Sequence, residues 1–264
     1  MTATAQSYFT RIDDHRFLPT EHSVGAWRED ELHLAPVAGL VIDFLERWRL
    51  ENAPALVFSR VCVEVLGQIA RTEIEIGIEV VRPGRTIELV EATAVIGGRA
   101  TLRARGWLLA SSDTSAAAGH ACDPMPSRVE CVDESWLKRW RGGMIASVTA
   151  VQSAATVPGR AQAWASSDVA LIDGESATSL GDYAKFLDLA NGVSWRQDPA
   201  EWMYPNVDLT LHLFRQPEGR WVGYDTRAAF GAGGLGLTSS TLHDEHGPVG
   251  MLAQSLTLRP ATEL

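Results

Sequence analysis

This 264-residue sequence predicts an α+β fold made of two copies of one unit, each a long apolar helix wrapped by an antiparallel sheet. Three observations carry that prediction. Strand-turn-strand text recurs in the two halves, a greasy helix precedes each copy, and a small, polar segment lies between them. The first helix is read from LAPVAGLVIDFLERWRL. There Val37, Leu40, Val41, Phe44, Leu45 and Trp48 form a broad apolar stripe, and Pro36 suits the first helical turn. EIGIEVVRPGRTIELVEA follows from Glu75, an alternating strand, a Pro/Gly turn and another strand. Two more strands are expected over residues 90–96 and 100–109, split at Gly97-Gly98.

Residues 111–128, which include SSDTSAAAGHACDPMPS, read as a linker. It separates an N-terminal unit, residues 1–110, from a C-terminal one, residues 129–264. The second helix is read from SATSLGDYAKFLDLANGVSW, with Leu180, Tyr183, Ala184, Leu187 and Ala190 at helical spacing. Ser179 or Thr178 suits its cap and Gly192 its end. DLTLHLFRQPEGRWVGYD then matches the first-half hairpin, with Leu209, Leu211 and Leu213 opposite Ile76, Ile78 and Val80 and Asp208 opposite Glu75. Strands over residues 236–243 and 249–258 complete the copy. A helix too apolar for the surface beside a one-faced meander is satisfied when the sheet curls around the helix. That arrangement is the hotdog fold, and two copies make a double hotdog joined edge to edge. Outer-face positions assigned to Gly77 and Ala92 predict a homodimer or higher homo-oligomer.

Composition narrows the function. Hydrophobic residues make up 45% of the chain, enough for a sizeable core, and 33 acids against 23 bases give a net charge of −10. That balance opposes general nucleic-acid binding, which needs phosphate neutralisation. Three cysteines without CxxC spacing suggest neither a disulfide framework nor a metal site. No N-terminal apolar leader and no membrane-spanning run are read, so the expectation is a cytoplasmic protein without a membrane partner.

The order and spacing of DLANGVSW, NVDLTLHLFRQPEGRWVGYDT, LHDEHGPVGMLAQSLTLRP and RPGRTIELVEA resemble the acyl-CoA thioesterase II type of double-hotdog protein, within the thioesterase-like superfamily. The resemblance implies hydrolysis of an acyl-CoA thioester by water that an aspartate, a hydroxyl and a glutamine position together. It needs no cofactor, coenzyme A entering only as part of the substrate. Asp208, opening its strand ahead of an Arg/Pro turn, matches the aspartate, and Gln254 the glutamine. Where the family has its hydroxyl, near Ala228 to Phe230, this sequence has none. Thr226 is the nearest on that strand, and Thr210 and Thr238 are the substitutes on others.

The residues alone support a direct water mechanism: Asp takes a proton and Gln orients the water. No GxSxG elbow is present, and Cys62 in an apolar strand reads as an inert thiol. The expected catalytic set is therefore Asp208, Gln254 and Thr226, with Thr210, Asp188 and Asn191 as substrate-binding candidates and no metal. For Asp188, Asp43 and Glu46, a solvated helix face is the plainer reading. The rival function is a non-catalytic double hotdog that binds an acyl group or serves an assembly.

Overall fold

A computed structural model describes residues 6–132 and 136–261. The outermost residues of both expected units, 1–5 and 262–264, lie outside the described residues. The chain begins with strands β1 (Ser7–Arg11) and β2 (Arg16–Pro19), followed by helix α1 (Leu34–Asn52). Strands β3 (Leu56–Val65), β4 (Ile74–Arg82), β5 (Ile87–Ile96) and β6 (Arg99–Ala110) complete the first half. The second half holds α2 (Gly143–Ala146), β7 (Thr149–Gln152), β8 (Arg160–Ser166), β9 (Ala170–Ile172), α3 (Ser179–Ala184) and α4 (Ala190–Val193). It continues with β10 (Trp202–Met203), β11 (Asp208–Leu213), β12 (Val222–Phe230), β13 (Leu235–Asp244), β14 (Gly247–Thr257) and β15 (Arg259–Pro260).

Thirteen strands form one sheet in the order β7-β8-β12-β13-β14-β11-β3-β6-β5-β4-β2-β1-β9. Each half runs from its outer edge to a shared seam by the same path, β1-β2-β4-β5-β6-β3 in one and β7-β8-β12-β13-β14-β11 in the other. The seam is the antiparallel pair β3–β11, where Thr210 faces Cys62. This is a double hotdog, with both helical segments under one continuous sheet. β9 departs from the repeat by pairing in parallel with β1, which ties the second half to the far edge of the first.

The repeat differs from the sequence reading by one strand. β11 and β12 do not form a hairpin: β11 lies between β14 and β3, while β12 lies between β8 and β13. The counterpart of β11 is thus β3, not β4, and Glu75 is not the mate of Asp208. Period-2 patterns fit one another at many registers, so the shared Pro/Gly turn pulled two unrelated junctions together. A better ruler is the bulge at Ala94/Val95, which recurs at Leu242/His243. Superposing these bulges aligns the facing pair Val90↔Gly106 with Thr238↔Gln254, and Phe58↔Leu108 with Asn206↔Leu256. Ala92, expected on the outer face, is fully buried on the helix side.

α1 forms where the apolar stripe predicts it, and Val37, Leu40, Val41 and Leu45 are fully buried. Burial of each such side chain is worth about 1.5–3 kcal/mol. His33 caps it, its Nδ1 accepting from the Ala35 N–H at 3.1 Å. The second helix is broken where one helix was expected. Thr178 caps α3 by accepting from Gly181 N at 3.0 Å. A tight 3₁₀ turn at Leu187–Leu189 then precedes α4, and Gly192 lies inside α4 instead of ending the helix.

The two helical segments cross with almost nothing between their backbones. A Cβ on Gly39 would stand 2.6 Å from Lys185 Cα, and one on Gly181 would stand 2.5 Å from Asp43 Oδ1. These reciprocal contacts make Gly39 and Gly181 equivalents, and three residues beyond the Asp43/Lys185 positions they pair Glu46 with Asp188. Asp43 is buried and accepts from the Thr178 N–H at 2.7 Å and the Thr178 hydroxyl at 2.8 Å, while Arg47 Nε lies 2.6 Å from its other oxygen. It is no solvated helix residue: it fixes the start of the opposite helix. Glu46 is likewise buried, in a bidentate pair with Arg49 at 2.5 and 2.9 Å.

Gly39→Ala is expected to force the helices apart and destabilise the fold by about 1–3 kcal/mol, the usual cost of overpacking. Asp43→Ala should cost a similar amount by orphaning the Thr178 donors. Both are read by urea denaturation with circular dichroism.

Candidate active site

The helical crossing sets what meets at its end. Because Gly39 opposes Lys185 and Asp43 opposes Thr178, the segments run antiparallel, which brings the cap of α1 to the 3₁₀ turn that carries Asp188. His33 Nδ1 lies 3.3 Å from Asp188 Oδ2. The other carboxyl oxygen, Oδ1, accepts from Gln254 Nε2 at 3.1 Å. Asp188 and Gln254 are both buried. A cavity of about 140 Å³ opens beside them, lined among others by His33, Asp188, Asn191 and Asn206.

Burial governs the protonation of this group. Removal from water raises the Asp188 carboxyl to about 7, and the Asn206 and Gln254 side chains act in the opposite sense by favouring the anion. Burial lowers His33 to about 4. The His33–Asp188 contact is therefore no ion pair near neutrality: a neutral imidazole, its Nδ1 lone pair already engaged by the helix cap, faces a carboxyl poised between its two states. Gln254 Oε1 and the Thr238 hydroxyl, facing each other across β13 and β14, have no hydrogen-bond partner among the described residues. They are unspent polar atoms on the helix side of the sheet.

Several expected site residues lie elsewhere. Side chains alternate across a sheet: from Leu252 onward the buried positions of β14 are Leu252, Gln254 and Leu256, whereas Asp208, Thr210 and His212 alternate with the buried Leu209 and Leu211. Asp208 and Thr210 therefore stand on the face opposite Gln254. Asp208 accepts from the Ser255 N–H at 2.7 Å. Thr210 donates to Cys62 Sγ at 3.3 Å across the seam. Thr226 does lie on the inner face, but its hydroxyl is bonded to Ser240 at 2.7 Å, and it does not line the cavity. Of the six expected residues, the structure gathers Asp188, Asn191 and Gln254, and Asp188 is buried and not solvated. His33 and Asn206 join them unforeseen. A capping side chain just ahead of LAPVAG and an amide after Pro205 were the available signals.

The equivalent region of the first half is filled. Val90 and Gly106 occupy the register of Thr238 and Gln254, Phe58 that of Asn206, and Glu46 that of Asp188. A Cβ on Gly106 would run into the Phe58 ring. One half thus has a largely apolar cavity edged by His33, Asp188, Asn191 and Asn206, where the other has packed hydrocarbon and a closed ion pair.

The sequence matches the acyl-CoA thioesterase N-terminal domain over residues 24–109 and the acyl-CoA thioesterase C-terminal domain over residues 119–258. The chain belongs to the acyl-CoA thioesterase family. No curated protein sequence matches it significantly. Among solved structures, this family member is similar to a candidate thioesterase from Novosphingobium aromaticivorans, with a TM-score of 0.70 at 20% identity over 96% of this chain and 98% of that one. A candidate thioesterase II from Thermobifida fusca gives 0.70 at 19%, over 97% and 99%. A hot dog fold protein from Alicyclobacillus acidocaldarius gives 0.67 at 11%, over 97% and 96%. At these identities the likeness is one of fold, a double hotdog spanning the whole chain. Among the described residues of this thioesterase-family chain, no helix is long and apolar enough to cross a membrane, and no group of three or more His, Cys, Asp or Glu is arranged to hold a metal ion.

Replacing Gln254 by Met keeps the volume but removes the donor to Asp188. The Asp188 carboxyl is expected to titrate above its present value of about 7, because a hydrogen bond favouring the anion is lost. Carbon-13 NMR titration of the aspartate carboxyls reads this, and an unchanged Asp188 midpoint would contradict it.

Proposed function

We propose that the chain hydrolyses an acyl-CoA by direct attack of water on the thioester, with Asp188 as general base. The observation that carries this reading is a buried carboxyl, raised to about 7, on the wall of a cavity and held by a carboxamide. A base that titrates near the working pH combines a useful ionised fraction with real proton affinity.

Asp188 takes a proton from water as its oxygen bonds to the thioester carbonyl carbon. Gln254 fixes the orientation of the carboxylate and keeps Oε1 to accept the second water hydrogen. The Asn191 amide on the cavity wall supplies a donor for the charge that develops on the carbonyl oxygen, while Asn206, bonded to the Asp208 carbonyl and to Asp188, holds the base in place. When the carbon–sulfur bond breaks, Asp188 returns its proton to the departing coenzyme A thiolate, leaving a free acid. A covalent route has less support. Cys62 lies against Thr210 on the outer face, away from the cavity. The burial of Gln254 and Thr238, each with an oxygen that has no partner among the described residues, also favours a catalytic over a purely structural role, since an unpaired buried polar group has a desolvation cost.

Asp188→Asn is expected to lower kcat by about 10²–10⁴-fold, the scale of a lost general base, while Asp208→Asn leaves it within about twofold. Thiol release from an acyl-CoA measures both, and the opposite ranking would return the role to Asp208. In the wild type, activity should rise with pH through about 7, where Asp188 loses its proton. His33, lowered to about 4, stays neutral over that range and adds no limb. The sign for stability is the reverse. A carboxyl raised from 3.8 to about 7 on folding holds a proton that the unfolded chain has lost, so its contribution falls as pH rises between those values. Asp188→Asn should therefore gain stability relative to wild type between pH 5 and pH 8, on the order of a few kcal/mol; denaturant midpoints at the two pH values test this.

A further inference from the structure

We infer that the cavity beside Asp188 selects a compact acyl group, about the size of a benzene ring, on a thioester whose anionic end lies in an adjoining arginine-bearing cleft; this rests on the thioesterase reading above. The volume comes first. At about 140 Å³, the cavity is close to the roughly 150 Å³ apolar cavity that holds benzene, and decanoyl or palmitoyl chains exceed it.

One wall, carrying Trp27 and Trp140, is backed by further aromatic packing. Trp27, Trp140 and Tyr204 form a triangle in which every pair packs edge to face, at centroid distances of 5.0, 5.7 and 5.7 Å. Phe230 backs Tyr204 at 5.3 Å. Edge-to-face pairs are each worth about 0.5–1.5 kcal/mol beyond their burial, so a longer chain has to break several of them to pass. Trp136 is buried in the same wall, and Gly192 leaves no slack: a Cβ there would stand 3.2 Å from Trp140 Nε1.

The opposite side has another character. A cleft of about 480 Å³ shares Gly25, Ala26 and Trp27 with the cavity and carries Arg28, Arg71 and Arg141, with Glu21 and Glu29. Arg71 is bonded to Glu21 and Arg28 to Asp30. Guanidinium groups suit phosphate oxygens through paired N–H donors, and the apolar cavity suits hydrocarbon. Trp27 stands where the two compartments meet. A molecule with a phosphate-bearing arm and a small apolar end spans them, its reacting carbonyl at Asp188.

The test uses the full chain with acetyl-, butanoyl-, hexanoyl-, benzoyl-, decanoyl- and palmitoyl-CoA, all below micelle-forming concentrations. Hydrolysis by the wild type is followed by thiol release, and binding of the same series to Asp188→Asn by calorimetry. Both kcat/KM and affinity should peak at hexanoyl or benzoyl and fall about tenfold or more by decanoyl, as expected when methylenes meet a packed wall. Trp140→Ala should move the peak to decanoyl, and Trp27→Leu is the second variant if the first does not fold. Palmitoyl-CoA handled as well as hexanoyl-CoA by the wild type overturns the inference, as does a peak that neither variant moves. If nothing is hydrolysed but Asp188→Asn still prefers the compact thioesters, size selection stands and the hydrolytic reading falls. Equal binding across the series, or none, removes the selection itself.

Discussion

Two glycines let two helices touch, and the rest of the molecule is arranged around that contact. At Gly39 and Gly181 each helix meets the other's backbone or the base of a side chain, with no room for a methyl group. So close a crossing fixes the helices' relative height to within a fraction of a turn. Asp43 reinforces it by bonding to the first turn of the opposite segment. The sheet must then cover both helices together, and the β3–β11 seam joins its halves above them. The site inherits its geometry from this crossing: His33 belongs to one repeat, Asp188 and Gln254 to the other, and only a fixed height between the helices brings the imidazole to 3.3 Å from the carboxyl.

The environment so created decides the chemistry more than the residue types do. The chain carries many carboxylates, and several buried ones are bound to arginine, as Glu46 is to Arg49 and Asp244 to Arg215. Asp188 differs in its company. Its neighbours are a neutral imidazole and carboxamides, which hold the group in place without cancelling its charge. An arginine there would stabilise the anion and leave a weak base; a wholly apolar shell would keep the proton on. Carboxamides between these extremes leave the group responsive near neutral pH.

Much of the fold was legible because hydrophobic periodicity reports directly on buried faces. The α1 stripe, the inner Leu209, Leu211 and Leu213 of β11, and the later strands of each half all follow it. What periodicity does not report is register. Slipping an alternating pattern by a whole strand leaves its core face intact, so Ile74–Arg82 was matched to Asp208–Leu213 when Leu56–Val65 is the true counterpart. That slip also hid the inward or outward sense of the polar positions. Asp208 looked catalytic as an acid opening a strand, yet it shares the outer face with Thr210 and caps Ser255. Gln254 is named by its match to the family's glutamine, and an amide within MLAQSLTL also stands out among apolar neighbours. Asp188 was noticed but read as solvated, since an acid on a helix usually faces water; here the segment is enclosed by the sheet and the other helix, and its equivalent on the unbroken α1, Glu46, is buried too. His33 and Asn206 are brought to the site only by long-range packing, which no local pattern encodes.

The packing of Phe58 over Gly106 has a consequence for how the chain holds itself together. Buried polar side chains left without partners cost stability, and among the described residues all of them lie outside the first half, Gln254 and Thr238 among them. Where the first half has the same architecture, an aromatic ring fills the equivalent space and Glu46 is neutralised by Arg49. Duplication thus permits a division of labour that a single unit cannot make: one copy keeps the unpaired polar groups, and its twin serves as ballast. In terms of local opening, the first-half strands across the seam should be the slowest to exchange their amide hydrogens, anchoring a second half that opens more readily.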